Sequence, residues 1–230
     1  MQKNFSQMEK NTVTSKEQLA DSKYVHFYHT QRDGIRILFV GNSITLHGPK
    51  ADIDWDGNWG MAASCPEKDY VHLLMQKIEA LHPDASHCIC HISNLERNYQ
   101  NPEPFMKDYD SVKDFDADII IFRFVENCPA QDFCAEDFRK FYAFLAEFLN
   151  PNHRANIIFT TGFWHHPGDE VIQEVANQFQ SPCVELGDLG EQDEMKAVGL
   201  FWHEGVASHP GDLGMKQIAE RILKELSAFL

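Results

Sequence analysis

Five short apolar runs, set apart by longer stretches of helical periodicity, constrain this chain more than any other feature. The runs are GIRILFV (34–40), HCICHIS (87–93), DADIIIFRFV (116–125), ANIIFTTGF (155–163) and CVEL (183–186). Their length and their branched and aromatic content are those of strands. Between them lie PEKDYVHLLMQKIEALH (66–82), AEDFRKFYAFLAEFLN (135–150) and DEVIQEVANQFQ (169–180), and DLGMKQIAERILKELSAFL (212–230) closes the chain. Apolar residues in these stretches recur at helical spacing. Ser64 and Glu67 fit a capping box at the start of the first. Strands alternating with helices of this length imply a parallel sheet covered on both faces. The prediction is an α/β domain, a three-layer α/β/α sandwich on a mainly parallel sheet of about five strands. It spans residues 34–230, preceded by an N-terminal extension, 1–33, whose KYVHFYHT reads as a short edge strand covering the sheet.

Composition narrows the partners. With 43% hydrophobic and 24% charged residues, the 230-residue chain can fill a single core. A net charge of −15 opposes phosphate backbones and anionic bilayers, so no nucleic acid and no membrane is expected, and it suits a neutral or cationic small substrate. The opening residues have no uninterrupted apolar core of the secretory kind, and no segment is long enough to cross a bilayer; the expected location is the cytoplasm. The six cysteines have no zinc spacing and read as reduced thiols. His165 and His166 are adjacent, with no HxxxH or CxxC spacing beside them, so neither metal nor cofactor is expected.

In a parallel sheet, ligands sit beyond the carboxyl ends of the strands. Ser43 follows the first apolar run, Asn127 the third and Trp164 the fourth, so all three gather at one rim. Ser43 in ILFVGNSITLHG is then either the cap of a strand-to-helix turn or a nucleophile, and the second role needs a base to take its proton and donors to meet an oxyanion. The GxSxG elbow of many lipases is absent.

Four stretches together resemble the SGNH (GDSL-type) esterases and lipases: VGNSIT, NWGMAAS (58–64), FRFVENCP (122–129) and GVASHPGDLGM (205–215), in the family's order. The resemblance implies a flavodoxin-like fold and a serine esterase. Ser43 would be the nucleophile and His209 the general base, and the oxyanion hole would be formed by the backbone N–H groups of Ser43 and Gly60 with the Asn127 side chain. Two positions depart from the pattern. Asn42 stands where aspartate is usual, and Val206 occupies the place of the acid, three residues before the histidine. Glu204, five residues before His209, is the favoured substitute; a backbone carbonyl near Val206 is the alternative, and Asp212 reads as a helix cap. Arg123 and Glu126 read as a buried ion pair bracing the Asn127 loop.

The substrate expected on composition is a small-molecule ester with a short acyl group, acetyl on a carbohydrate being one such ester, since the rim loops are rich in Trp, Asp and His and carry no greasy lid. Trp59, Trp164 and His165 are the candidate substrate contacts, and Trp202 reads as packing. The alternatives are a lysophospholipase- or thioesterase-type acyl hydrolase, and a binding protein that kept the fold without the chemistry.

Overall fold

The computed structural model describes residues 19–30 and 33–230. Six strands form one sheet: β1 (Val25–Tyr28), β2 (Arg36–Gly41), β3 (Ser86–His91), β4 (Ile119–Arg123), β5 (Asn156–Thr160) and β6 (Cys183–Val184). Their spatial order is β1-β3-β2-β4-β5-β6. β2 through β6 run parallel, and β1 lies antiparallel on the β3 edge, pairing Val25 with Cys90 and Tyr28 with His87. The edge strand expected of KYVHFYHT is therefore present, as a sixth strand. The rest of the proposed extension, residues 1–18 with 31 and 32, lies outside the described residues.

The period of two along each strand splits the core into two layers. On β2, Leu38 and Val40 face one cluster, while Ile37 and Phe39 face the other. The first layer is covered by α5 (Ala135–Leu149) and α6 (Asp169–Gln178), with the short helices α2 (Ser93–Arg97), α3 (Glu103–Met106) and α4 (Val112–Phe115) beside them. The second is covered by α1 (Tyr70–Leu81) and α8 (Asp212–Leu226). A one-turn helix, α7 (Glu204–Ala207), precedes α8.

The start of α1 differs from the sequence reading. α1 is capped not by Ser64 but by Asp69, whose carboxylate accepts the His72 N–H at 2.8 Å. Pro66–Lys68 forms a separate 3-10 turn, and the Ser64 hydroxyl donates instead to Asp212. The physical reason is the pairing of two loops: Asp212 binds Ser64 and Lys68 and ties the start of α8 to the approach of α1.

β2 and β4 are neighbours, and the chain leaves β2 toward β3 on one side and β4 toward β5 on the other, so the connections from their carboxyl ends run in opposite directions. That is the switch point at which a crevice opens in an open parallel sheet. Ser43 lies two residues past the end of β2.

Candidate active site

Ser43 does not cap the turn it stands in. Asn42 does: its carbonyl accepts the N–H groups of Thr45 and Leu46 at 2.9 and 3.0 Å, and its Oδ1 accepts that of Ile44 at 3.3 Å. The Ser43 hydroxyl is left to meet His209, with Oγ 2.8 Å from Nε2. The two residues are 166 positions apart in sequence.

His209 is held from behind by the chain itself. Its Nδ1 lies 2.6 Å from the Gly205 carbonyl oxygen, so Nδ1 carries the proton and donates, and the Nε2 lone pair faces Ser43. The Trp164 ring stands edge-on to the imidazole at 5.7 Å. The backbone carbonyl thus takes the position expected for Glu204, which is exposed in the first turn of α7. A carbonyl within one helical turn of His209 reaches Nδ1 with no side chain to order. Val206 is fully buried beside Trp55 and Met61, which explains why this position carries no acid: its side chain is core. A Cβ at Gly205 would lie 2.9 Å from Cε1 of His203, so a larger residue there would push that ring aside. Burial holds His209 down at about 4, and the Gly205 carbonyl offsets this only in part. The imidazole is therefore neutral and able to accept a proton across the neutral pH range.

The groups expected to form an oxyanion hole divide. No acceptor among the described residues takes the Ser43 N–H, which remains available. The Asn127 side chain lines the same cleft. Its Nδ2 donates to Glu96 Oε2 at 2.8 Å and keeps a second N–H, while its Oδ1 accepts from Arg97 at 2.9 Å. The Gly60 expectation is corrected: its N–H donates to Asp69 Oδ2 at 3.0 Å and is not offered to the cleft. Its glycine identity has a steric cause, because a Cβ would meet the Ile44 carbonyl oxygen at 2.6 Å.

Beneath Ser43 and Asn127 lies a buried polar network. Arg123 is fully buried and grips Glu126 through both terminal nitrogens, each at 2.8 Å. It also donates to Asn42 Oδ1 at 2.6 Å. The Asn42 amide donates to Glu96 and Glu126 at 3.0 and 2.6 Å, which is why an amide and not a carboxylate stands before the serine: it bridges two carboxylates. The ion pair expected of Arg123 and Glu126 is present and extends to Phe163, whose N–H reaches Glu126 at 2.9 Å. Burial alone would raise Glu126, but the Arg123 guanidinium and the N–H donors hold it at about 2. Glu96, also buried, is pushed up to about 7 by desolvation and by the charge on Glu126.

Ser43 and His209 open on a cleft of about 440 Å³. Its walls carry Lys50, Arg97 and the histidines 47, 91 and 203, and no aspartate or glutamate. Sequence reading missed these residues together with Glu96. Glu96 and Arg97 stand in α2, just past β3, at the same rim as Ser43; the end of that strand was the signal that could have found them. Of the expected substrate contacts, only Trp164 is brought near the pair. Trp59 packs against Trp55 and donates to the Ala63 carbonyl at 2.8 Å, which makes it a brace of its loop. His165 is exposed and lines a different depression with His166 and Glu185. Trp202, expected to pack, is 68% exposed. No cluster of potential metal ligands occurs among the described residues, and none of their helices is long and apolar enough to cross a membrane.

Known proteins bear on the fold. No family model and no curated protein matches the sequence. Solved structures do match. A family two carbohydrate esterase from Clostridium thermocellum, in complex with cellohexaose, superposes with a TM-score of 0.57 at 17% identity, covering 92% of this chain and 68% of that one. A lipase/acylhydrolase from Enterococcus faecalis gives 0.53 at 15%, covering 84% and 96%. The fold is that of the SGNH hydrolases. A two-domain esterase active on acetylated mannans gives 0.54 at 15% identity, and the chain spans about half the length of that protein, 50%. At such identities an SGNH likeness fixes architecture only, and chemistry must come from the site.

Proposed function

We propose that the protein is a serine esterase that works with a Ser43–His209 dyad. The observation that carries this reading is the 2.8 Å contact between Oγ and Nε2, with Nδ1 tied to the Gly205 carbonyl. The carbonyl fixes the tautomer and the ring orientation, which is half of what an acid does in a triad; it does not supply the negative charge that stabilises an imidazolium.

In the reaction, Oγ attacks the ester carbonyl carbon while its proton passes to His209 Nε2. The Ser43 N–H and the free Asn127 N–H meet the oxyanion. The bond to the alcohol oxygen breaks as Nε2 returns the proton to it. Water then attacks the acyl-enzyme, giving its proton to Nε2; the carbon–Oγ bond breaks and the serine recovers the proton. The products are a carboxylic acid and an alcohol, and the steps need no cofactor.

A short acyl group, acetyl on a carbohydrate, is the preferred substrate. It is supported by an SGNH fold shared with esterases that act on acetylated mannans or bind cellohexaose, and by a cleft open enough for a sugar. The unpaired state of all six cysteines suits the reducing cytoplasm. The second reading, a binding protein on the same fold, is favoured by the lack of a carboxylate behind His209. Hydrolysis of p-nitrophenyl acetate and of a long-chain p-nitrophenyl ester, beside Ser43→Ala, separates the readings. Turnover of the acetate that vanishes in the variant is expected. No turnover of either ester favours the binding protein, and better turnover of the long chain overturns the acetyl preference.

A further inference from the structure

The cleft that holds Ser43 has the opposite sign to the protein around it. The chain carries −15 overall, yet the wall of this cleft presents Lys50 and Arg97 and contains no acidic side chain. An adjoining depression of about 390 Å³ shares the wall residues His47, His91, Ser93 and Arg97 and adds Lys23 and His26, again without an acid. Among the described residues Arg97, common to both, donates only to neutral groups: Asn127 Oδ1 at 2.9 Å and Ser93 Oγ at 3.4 Å. Lys50 has a carboxylate nearby, Asp52 at 3.5 Å, but both are exposed and the pair is weak. Elsewhere the chain matches its cations closely, as Arg123 with Glu126, Arg36 with Asp118 and Arg221 with Asp188 show. Burial pushes His91 in the same wall down to about 4, and Arg97 beside it pushes the same way, so His91 stands neutral and leaves the charge of the wall to Arg97 and Lys50.

From this wall we infer that the ester substrate carries an anionic oxyacid group, a carboxylate or a phosphate, on its alcohol part, seated against Arg97 with Lys50 or Lys23. The inference rests on the esterase reading and narrows it. An acetyl group has no place for a second charge, so the anion belongs to the alcohol. Arg97 also touches the side chain that meets the oxyanion, which sets the anion one residue from the reacting carbonyl. The expectation of a neutral or cationic substrate drawn from net charge is thereby reversed at the site, because a cleft focuses the field of its own walls.

The test compares kcat/KM for three acetylated methyl glycosides: a neutral glucoside, a glucuronide and a glucoside 6-phosphate. At least one charged ester is expected to exceed the neutral one by about tenfold, a preference that shrinks in about 0.5 M salt, where screening is short-ranged. Which of the two leads distinguishes a uronic acid from a sugar phosphate. In Lys50→Gln and Arg97→Gln the ratio of charged to neutral turnover falls toward one. Equal turnover of all three, or preference for the neutral ester, overturns the anionic substrate and leaves the esterase standing. No turnover of any of them overturns the esterase reading and the inference with it.

Discussion

The two halves of the dyad are held in different ways. Ser43 sits on an over-determined base: Asn42 is fixed by four side-chain hydrogen bonds, two of them to carboxylates and one from a buried guanidinium. His209 has one hydrogen bond behind it, to a carbonyl in a one-turn helix, and one aromatic edge beside it. The proposed nucleophile is thus anchored in a buried charged network, whereas the proposed base is positioned by local backbone. Damage should accordingly appear as lost stability at one end and as lost rate at the other.

The largest effect belongs to the serine end. Arg123→Met leaves Glu126 buried without its partner, and we expect a loss of about 3–5 kcal/mol in urea unfolding. A loss below about 1 kcal/mol, the scale of an ordinary hydrogen bond, would show that the network does not anchor the turn. At the histidine end, Gly205→Ala sets a Cβ 2.9 Å from Cε1 of His203, a contact that either the His203 side chain or the Gly205 backbone must relieve. A fall in kcat of up to about 10-fold with little change in unfolding is expected, since even a small shift of the carbonyl behind His209 misplaces the imidazole.

Titration separates the two ends again. Glu96 has a folded value of about 7, above its ordinary 4.5, so its contribution to stability is full below 4.5 and is lost as pH rises through about 7. Glu126 runs the other way: held at about 2, it stabilises above 4.5 and loses that contribution as pH falls toward 2. Thermal melts should therefore show the wild type weakening between pH 5 and 8, and Glu96→Gln should flatten that slope; parallel slopes in the two proteins would remove Glu96 as its source. For activity, protonation of His209 at about 4 sets the acid limb of kcat/KM, which should stay level through neutral pH and fall only below about 5. A limb near 6.5 would mean that the imidazole is less buried than the structure shows. The smallest effect is at Glu204. Exposed and away from Nδ1, it should change kcat/KM by no more than about twofold as Glu204→Gln, within the scatter of surface substitutions. A loss of tenfold or more would return the acid's role to it.

Much of this was legible in the sequence because the layers obey simple periods. β2 alternates its apolar residues between two cores, and α5 spans Ala135–Leu149 where its amphipathic pattern spans 135–150. Motif order singles out Ser43 and His209, and the structure sets Oγ and Nε2 of the two 2.8 Å apart; the chemistry of the pair is the proposal to be tested. Three features were poorly legible, each for a physical reason. The Gly205 carbonyl, next to Val206, was reached only as the alternative to Glu204, since every residue has a carbonyl and none leaves a side-chain signature. The Gly60 amide looks like any loop N–H until Asp69, nine residues later, is seen to take it. The sign of the cleft is hidden because net charge sums over a surface, while Lys50 and Arg97 converge only once β2 and β3 lie side by side.

The central claim, that Ser43 is a nucleophile activated by His209, is tested most directly by labelling. The purified protein is treated with diethyl p-nitrophenyl phosphate and analysed by intact mass and peptide mapping, beside Ser43→Ala and His209→Ala. The account predicts one diethylphosphoryl adduct per chain, located on Ser43, absent from Ser43→Ala and formed far more slowly in His209→Ala. No adduct on the wild type, or an adduct that forms equally fast without His209, would contradict it.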